Sequence, residues 1–99
     1  LLMLAPAAFD SSINRWRLNG VWKEMQPLDT LRGDFKMIAY DRREAGESGG
    51  RIEALTWDVY ARHGIALLDH LKIDKAFILG GCMGVSLVLA MAARYPQRI

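Results

Sequence analysis

A single cysteine stands between two glycines in Gly80-Gly81-Cys82-Met83-Gly84. Four residues suited to a buried strand, Ala76 to Leu79, run into it, and a long apolar helix leaves it, from about Val85 to Tyr95. Strand, tight turn, reactive side chain and helix form the layout of a nucleophile elbow, here Gly-X-Cys-X-Gly with sulfur where a serine hydroxyl is commoner. Such a turn lifts its central side chain above the sheet in a strained backbone conformation. Bulky residues two positions either side would then collide, so Gly80 and Gly84 are the structural requirement of the elbow. At the amino end of a helix the thiolate is favoured, and a thiolate is a stronger nucleophile than a hydroxyl. The bland alternative for Cys82 is a small buried hydrophobe, and the flanking glycines argue against it.

Other candidates are weaker. His63 and His70 lie on a helix expected to pack on a face of the sheet, away from the carboxyl ends of the strands, so neither is read as the base. Ser86 falls inside the last helix and reads as a packing residue. Gly80 to Val85 matches neither a dinucleotide fingerprint nor a phosphate loop, which removes the case for Asp41 as a ribose ligand. No cluster of His, Cys and carboxylates has metal-ligand spacing, so neither metal nor cofactor is expected.

The elements that must position Cys82 follow an alternating order. Leu1 to Ala5 is a continuous apolar run, a strand buried on both faces, ended by Pro6. A loop of small and polar residues follows, from Ala7 to Ser12. Ser11, Ser12 or Asn14 could cap a helix through Trp16 and Leu18, interrupted at Asn19-Gly20. The stretch to Pro27 is the least readable, and a helical turn at Leu28–Leu31 is closed by Gly33. Phe35 to Tyr40 is the second strand, followed by the polar loop Asp41 to Gly50, held through ion pairs of Asp41, Arg42 and Arg43. A helix runs from about Leu55 to Leu71 with Trp57, Tyr60, Ala61, Gly64, Leu67, Leu68 and Leu71 on one apolar stripe. Gly64 implies close packing on the sheet. Trp16, Trp22 and Trp57 read as core or lid-facing packing. The order is that of an α/β fold with a parallel sheet and right-handed crossovers.

Composition bounds the rest. Hydrophobic residues make up 52% of the 99 and charged ones 24%, so the chain is globular. Thirteen basic and eleven acidic residues give a net charge of +2 without long runs, a solvated surface rather than a nucleic-acid footprint. No stretch approaches the roughly 18 apolar residues of a membrane span. One cysteine rules out an internal disulfide and fits a reducing, cytoplasmic setting.

Ala5-Pro6, Asp41-Arg42-Arg43-Glu44-Ala45-Gly46-Glu47-Ser48, Gly80-Gly81-Cys82-Met83-Gly84 and the helix ending Ala66-Leu67-Leu68-Asp69-His70-Leu71 together resemble the α/β-hydrolase superfamily. The resemblance implies that residues 1–99 are the amino-terminal part of a single domain: a partial doubly wound parallel sheet of three strands with flanking helices. The first strand would lie between the second and third. A lid, the triad acid and the histidine would follow later in the chain. It further implies an oxyanion hole from the backbone N–H of Met83 and of Ala7, although Ala5-Pro6 departs from the His-Gly common among relatives. The expected activity is a cofactor-independent hydrolase of an ester, thioester, lactone or related acyl bond of a small molecule. An acyltransferase, or a non-catalytic binding domain of the same fold, are the alternatives. Oligomeric state is not legible in these residues.

Three buried strands and a helix apolar nearly all round need more cover than residues 1–99 supply. Expressed alone, this segment is expected to be inactive and to give a loosely packed or aggregating product. A sharp, cooperative thermal transition of the isolated segment would contradict that expectation.

Overall fold

The computed structural model describes residues 1–6, 11–18, 20–43, 45–50 and 56–99. The elements are β1 (Leu2–Leu4), α1 (Arg15–Leu18), α2 (Gly20–Met25), α3 (Pro27–Leu31), β2 (Ile38–Ala39), α4 (Trp57–His70), β3 (Ile78–Gly80) and α5 (Gly84–Arg94), with a 3-10 turn at Pro96–Arg98. The strands form a parallel sheet in the order β2-β1-β3. The first strand is therefore central, as the resemblance implied. Leu2 pairs with both Ile38 and Ile78, and Leu4 pairs with Gly80, so the carboxyl ends of β1 and β3 finish side by side.

Alternation along β1 builds the interior. Successive side chains of a strand point to opposite faces. Leu2 and Leu4 join Tyr60, Ala61, Ile65 and Leu68 of α4 and Leu87 and Met91 of α5 in one cluster. Met3 and Ala5 point the other way, onto Trp16 of α1. This is a sheet covered on both faces at its centre, and β1 is buried throughout its length.

The α4 stripe is shorter than its sequence pattern. Tyr60, Ala61, Gly64, Ile65 and Leu68 are buried, whereas Trp57 and Leu71, at the helix ends, are 42% and 41% exposed. The tight packing inferred at Gly64 is real, but its main partner is a helix rather than the sheet. A Cβ there would stand 3.0 Å from the Met91 thioether sulfur of α5 and 3.5 Å from the Tyr40 hydroxyl oxygen. Thr56 caps the helix, its hydroxyl accepting from the Val59 N–H at 3.1 Å. At the other end Lys72, with φ +58°, takes the left-handed position usually given to glycine. The Ile73 N–H reaches the Leu68 carbonyl and the Lys72 N–H reaches that of Asp69, which satisfies the last carbonyls of the helix. Arg98 then locks the α4–β3 connection, donating to the carbonyls of Ile73 and Asp74 and pairing with Asp69 at 2.7 Å.

The expected second strand contracts from Phe35–Tyr40 to Ile38–Ala39, because the preceding residues serve other contacts. Phe35 meets Phe77 edge to face at 5.8 Å, and the Lys36 carbonyl accepts from the chain's amino terminus. The unreadable stretch from Ile13 to Pro27 is two short helices, anchored by Trp16 at 0% exposure.

Leu68, also fully buried, joins α4 to β1. Replacing it with alanine in the full-length protein is expected to lower the unfolding free energy by about 2–5 kcal/mol. Urea denaturation reads this directly; a change under about 1 kcal/mol would contradict the packing described.

Candidate active site

Ladder pairing between β1 and β3 runs one step past the strands, with the Gly81 N–H donating to the Leu4 carbonyl at 3.2 Å. The chain then reverses within three residues. Gly84 N–H donates to the Gly81 carbonyl at 2.7 Å and Val85 N–H to the Cys82 carbonyl at 3.0 Å, which starts α5. Between them Cys82 has φ +50° and is solvent-exposed. For a residue with a Cβ that backbone region costs roughly 1–3 kcal/mol, so its surroundings must impose it.

Two glycines impose it by different contacts. A Cβ on Gly80 would overlap the carbonyl of Gly84 and stand 2.8 Å from the Val85 nitrogen. This is the collision expected across the turn. A Cβ on Gly84 would instead overlap the Leu4 carbonyl oxygen and approach that of Ala5 at 3.4 Å. The first turn of α5 thus rests on the end of β1. Met83 precedes α5 and is 37% exposed. Its N–H adjoins the helix's first turn, where backbone amides point outward without intrahelical acceptors.

Ala7 lies outside the described residues. Among the described residues nearest to it in sequence, the buried Ser11 hydroxyl donates to the Ala5 carbonyl at 3.1 Å. The structure thus brings Gly80, Cys82, Met83 and Gly84 together beside Leu4 and Ala5. Ser86 is half-buried within α5. α4 runs back from the carboxyl ends of the strands toward their amino ends, which puts His70, at its last turn, on the edge opposite Cys82. His63 is half-buried mid-helix, edge-on to Tyr60. Burial and the nearby Arg43 and Arg62 hold its imidazole below the ordinary histidine range.

Two contributors, Gly81 and the indole pair against it, escaped the sequence reading, and a third acts otherwise than expected. Gly81 is a required glycine as well, because a Cβ there would stand 2.7 Å from the Trp22 ring and 3.0 Å from that of Trp16. These two indoles meet edge to face at 4.7 Å and wall one side of the turn. The doubled glycine before Cys82 was the available signal. Asp41 is the third. It binds by backbone contacts rather than by the ion pair expected, accepting from the N–H of Ile13 and of Glu47 at 2.6 Å each. Arg42, buried, places its guanidinium over the Tyr60 ring at 5.1 Å. Among the described residues no three His, Cys, Asp or Glu gather as a metal-ligand set. None of their helices is long and apolar enough to cross a membrane.

Residues 6–99 match the family described as alpha/beta hydrolase fold, and the chain belongs to it. Among curated relatives, it is 38% identical over 79 residues to a 2-hydroxymuconate semialdehyde hydrolase of Pseudomonas sp. (strain CF600), covering 79% of this chain and 27% of the relative. It is 33% identical over 72 residues to a homoserine O-acetyltransferase of Thermus thermophilus (73% and 19%). It is 32% identical over 91 residues to the dihydrolipoyllysine-residue acetyltransferase component of the acetoin cleaving system of Pseudomonas putida (92% and 22%). The chain thus spans about a fifth to a quarter of the length of these relatives. No solved structure matches it. Relatives of this kind make the chain's family one of hydrolases and acetyltransferases.

Because Gly84 abuts main chain rather than a flexible side chain, its neighbours cannot yield. Gly84→Ala in the full-length protein is expected to cost about 1–3 kcal/mol in urea unfolding. Gly33→Ala, where nothing lies within 4 Å, is the control expected within about 0.5 kcal/mol. Equal effects at the two positions would contradict the close approach of α5 to β1.

Proposed function

We propose that Gly80–Gly84 is a nucleophile elbow and that Cys82 is the nucleophile of a cofactor-independent hydrolase acting on a small-molecule ester, thioester, lactone or related acyl bond. The observation carrying this reading is the conformation of Cys82: a solvent-exposed thiol at φ +50° on a strand-to-helix turn, next to the end of the central strand. A free cysteine kept only for packing has no need of that strain, nor of glycines at 80, 81 and 84.

In the proposed cycle the Cys82 thiolate adds to the acyl carbon, and the carbonyl oxygen takes the negative charge. The backbone N–H groups of Met83 and Ala7 stabilise that oxyanion, each such donor contributing roughly 2.7–4 kcal/mol. Collapse of the adduct expels the alcohol, thiol or tethered leaving group, which takes the proton that a histidine had drawn from the Cys82 thiol, and leaves a thioester on Cys82. Water, deprotonated by a histidine, then adds to the thioester and releases the carboxylic acid and the thiolate. That histidine and its acid partner are assigned to the full-length protein outside residues 1–99. These residues are accordingly the amino-terminal part of one domain, inactive alone, in a protein we assign to the cytoplasm.

The acyltransferase variant has specific support, since two of the relatives are named as acetyltransferases. It differs only in the acceptor: a hydroxyl or thiol of a second substrate takes the acyl group in place of water.

The full-length protein is expected to react with substoichiometric iodoacetamide at Cys82 faster than a free thiol near neutral pH. Its activity on short acyl esters is expected to fall at least about 10³-fold in Cys82→Ala. Labelling no faster than a free thiol, together with no acyl turnover in either form, would instead mark a binding domain on this fold, and activity retained in Cys82→Ala would overturn Cys82 as the nucleophile.

A further inference from the structure

The strain at Cys82 must be held on the side of the chain that precedes it as well as at Gly84. Gly81 is fixed there by three contacts. Its N–H donates to the Leu4 carbonyl at 3.2 Å, and its carbonyl accepts from the Gly84 N–H at 2.7 Å. The third contact is with side chains. A Cβ at position 81 would stand 2.7 Å from Trp22 Cζ2, 3.1 Å from Trp22 Cη2 and 3.0 Å from Trp16 Cη2. Gly81 itself takes no positive φ. Glycine is therefore required here for the room that the indoles fill, not for its backbone angles.

The indole pair ties this turn to the centre of the sheet. Trp16 is fully buried and packs with Met3 and Ala5 of β1. Trp22, half-buried on α2, meets Trp16 edge to face at 4.7 Å and turns Cζ2 and Cη2 of its ring toward Gly81. A strained residue keeps its conformation only while its surroundings cannot yield. Glycine offers no steric resistance of its own, so a turn of the 81–82 peptide with a small shift of Gly81 would return Cys82 to an ordinary φ. The ring edges occupy the space that this shift needs.

We propose that Trp22 is a positioning residue: its ring edge, backed by Trp16 on β1, closes the space beside Gly81 and so holds the Cys82 thiol and the Met83 N–H in the geometry of acyl transfer. This rests on the acyl-transfer reading given above, and it adds a residue to it. Trp22 acts through Gly81, the residue immediately before the nucleophile.

The test uses the full-length protein and p-nitrophenyl acetate as the probe. In Trp22→Ala, kcat is expected to drop on the order of 10²-fold, the scale of a reacting group displaced by about an ångström. KM is expected to stay within about twofold, since the geometry lost acts on the transition state. Gly81→Ala pushes the turn away from the same ring and is expected to lower kcat as well. Added to Trp22→Ala, its methyl enters vacated space, so its cost in kcat is expected to shrink at least about fivefold, as for residues in contact. Amide exchange at Gly84 and Val85, whose N–H groups close the turn, is expected to quicken in Trp22→Ala, while amides in the middle of α4 keep their protection. A residue that only stabilised the fold would change neither kcat of the folded protein nor the cost of Gly81→Ala. If Trp22→Ala does not fold, Trp22→Leu, which keeps apolar bulk on α2 but withdraws the ring edge, carries the same expectations. Unchanged kcat, or a Gly81→Ala cost that is the same with and without the ring, would overturn the proposal. If the wild-type protein shows no Cys82-dependent turnover, the acyl-transfer reading fails instead, and the role of Trp22 is judged on exchange alone: unchanged protection at Gly84 and Val85 overturns it.

Discussion

Everything about this turn depends on how closely the start of α5 approaches the end of β1. The Leu4 carbonyl lies where a Gly84 Cβ would be, so the helix can dock only with hydrogen at that position. Its amino terminus consequently projects from the carboxyl edge of the sheet, with Cys82 lifted into the left-handed region just before it. β1 is the natural support for such an arrangement. It is the central strand, buried on both faces, and no other described strand is fixed by neighbours on two edges. The strain at Cys82 is thus carried by the best-packed part of the fold, which is where rigidity can sustain it.

The flanks of the turn are held by different chemistry. On one side, Trp16 and Trp22 stack against Gly81, an apolar wall that leaves no space for a side chain before the cysteine. Beyond β1, the Ser11 hydroxyl donates to the Ala5 carbonyl and the Asp41 carboxylate accepts from the Ile13 N–H. Apolar packing fixes position without direction, whereas the bonds to a carboxylate fix direction as well.

Much of this was legible in the residues. The apolar run Leu1–Ala5 has the form of a strand buried on both faces, and β1 is that strand. The glycine spacing around Cys82 names the turn because collisions across a tight turn are local in sequence. The parts that were not legible are those whose partners lie far along the chain. Trp16 has no local pattern that points to Gly81. Asp41 binds amides, and every residue except proline carries one, so no side-chain pairing could announce Ile13 and Glu47. Periodicity overextended the buried stripe of α4, not the helix, because it registers apolar residues at helix ends, such as Trp57 and Leu71, that stay exposed. It also passed over Ile65, which lies in the buried cluster.

The account stands on a covalent bond to one sulfur atom. Rapid acid quench of the full-length protein during turnover of an acyl ester, followed by peptide mass spectrometry, would reveal that bond. The predicted result is one acyl group carried as a thioester on the peptide containing Cys82, formed within a turnover and cleared when substrate is exhausted. An acyl group on another residue, or an unmodified Cys82 under steady turnover, would contradict it.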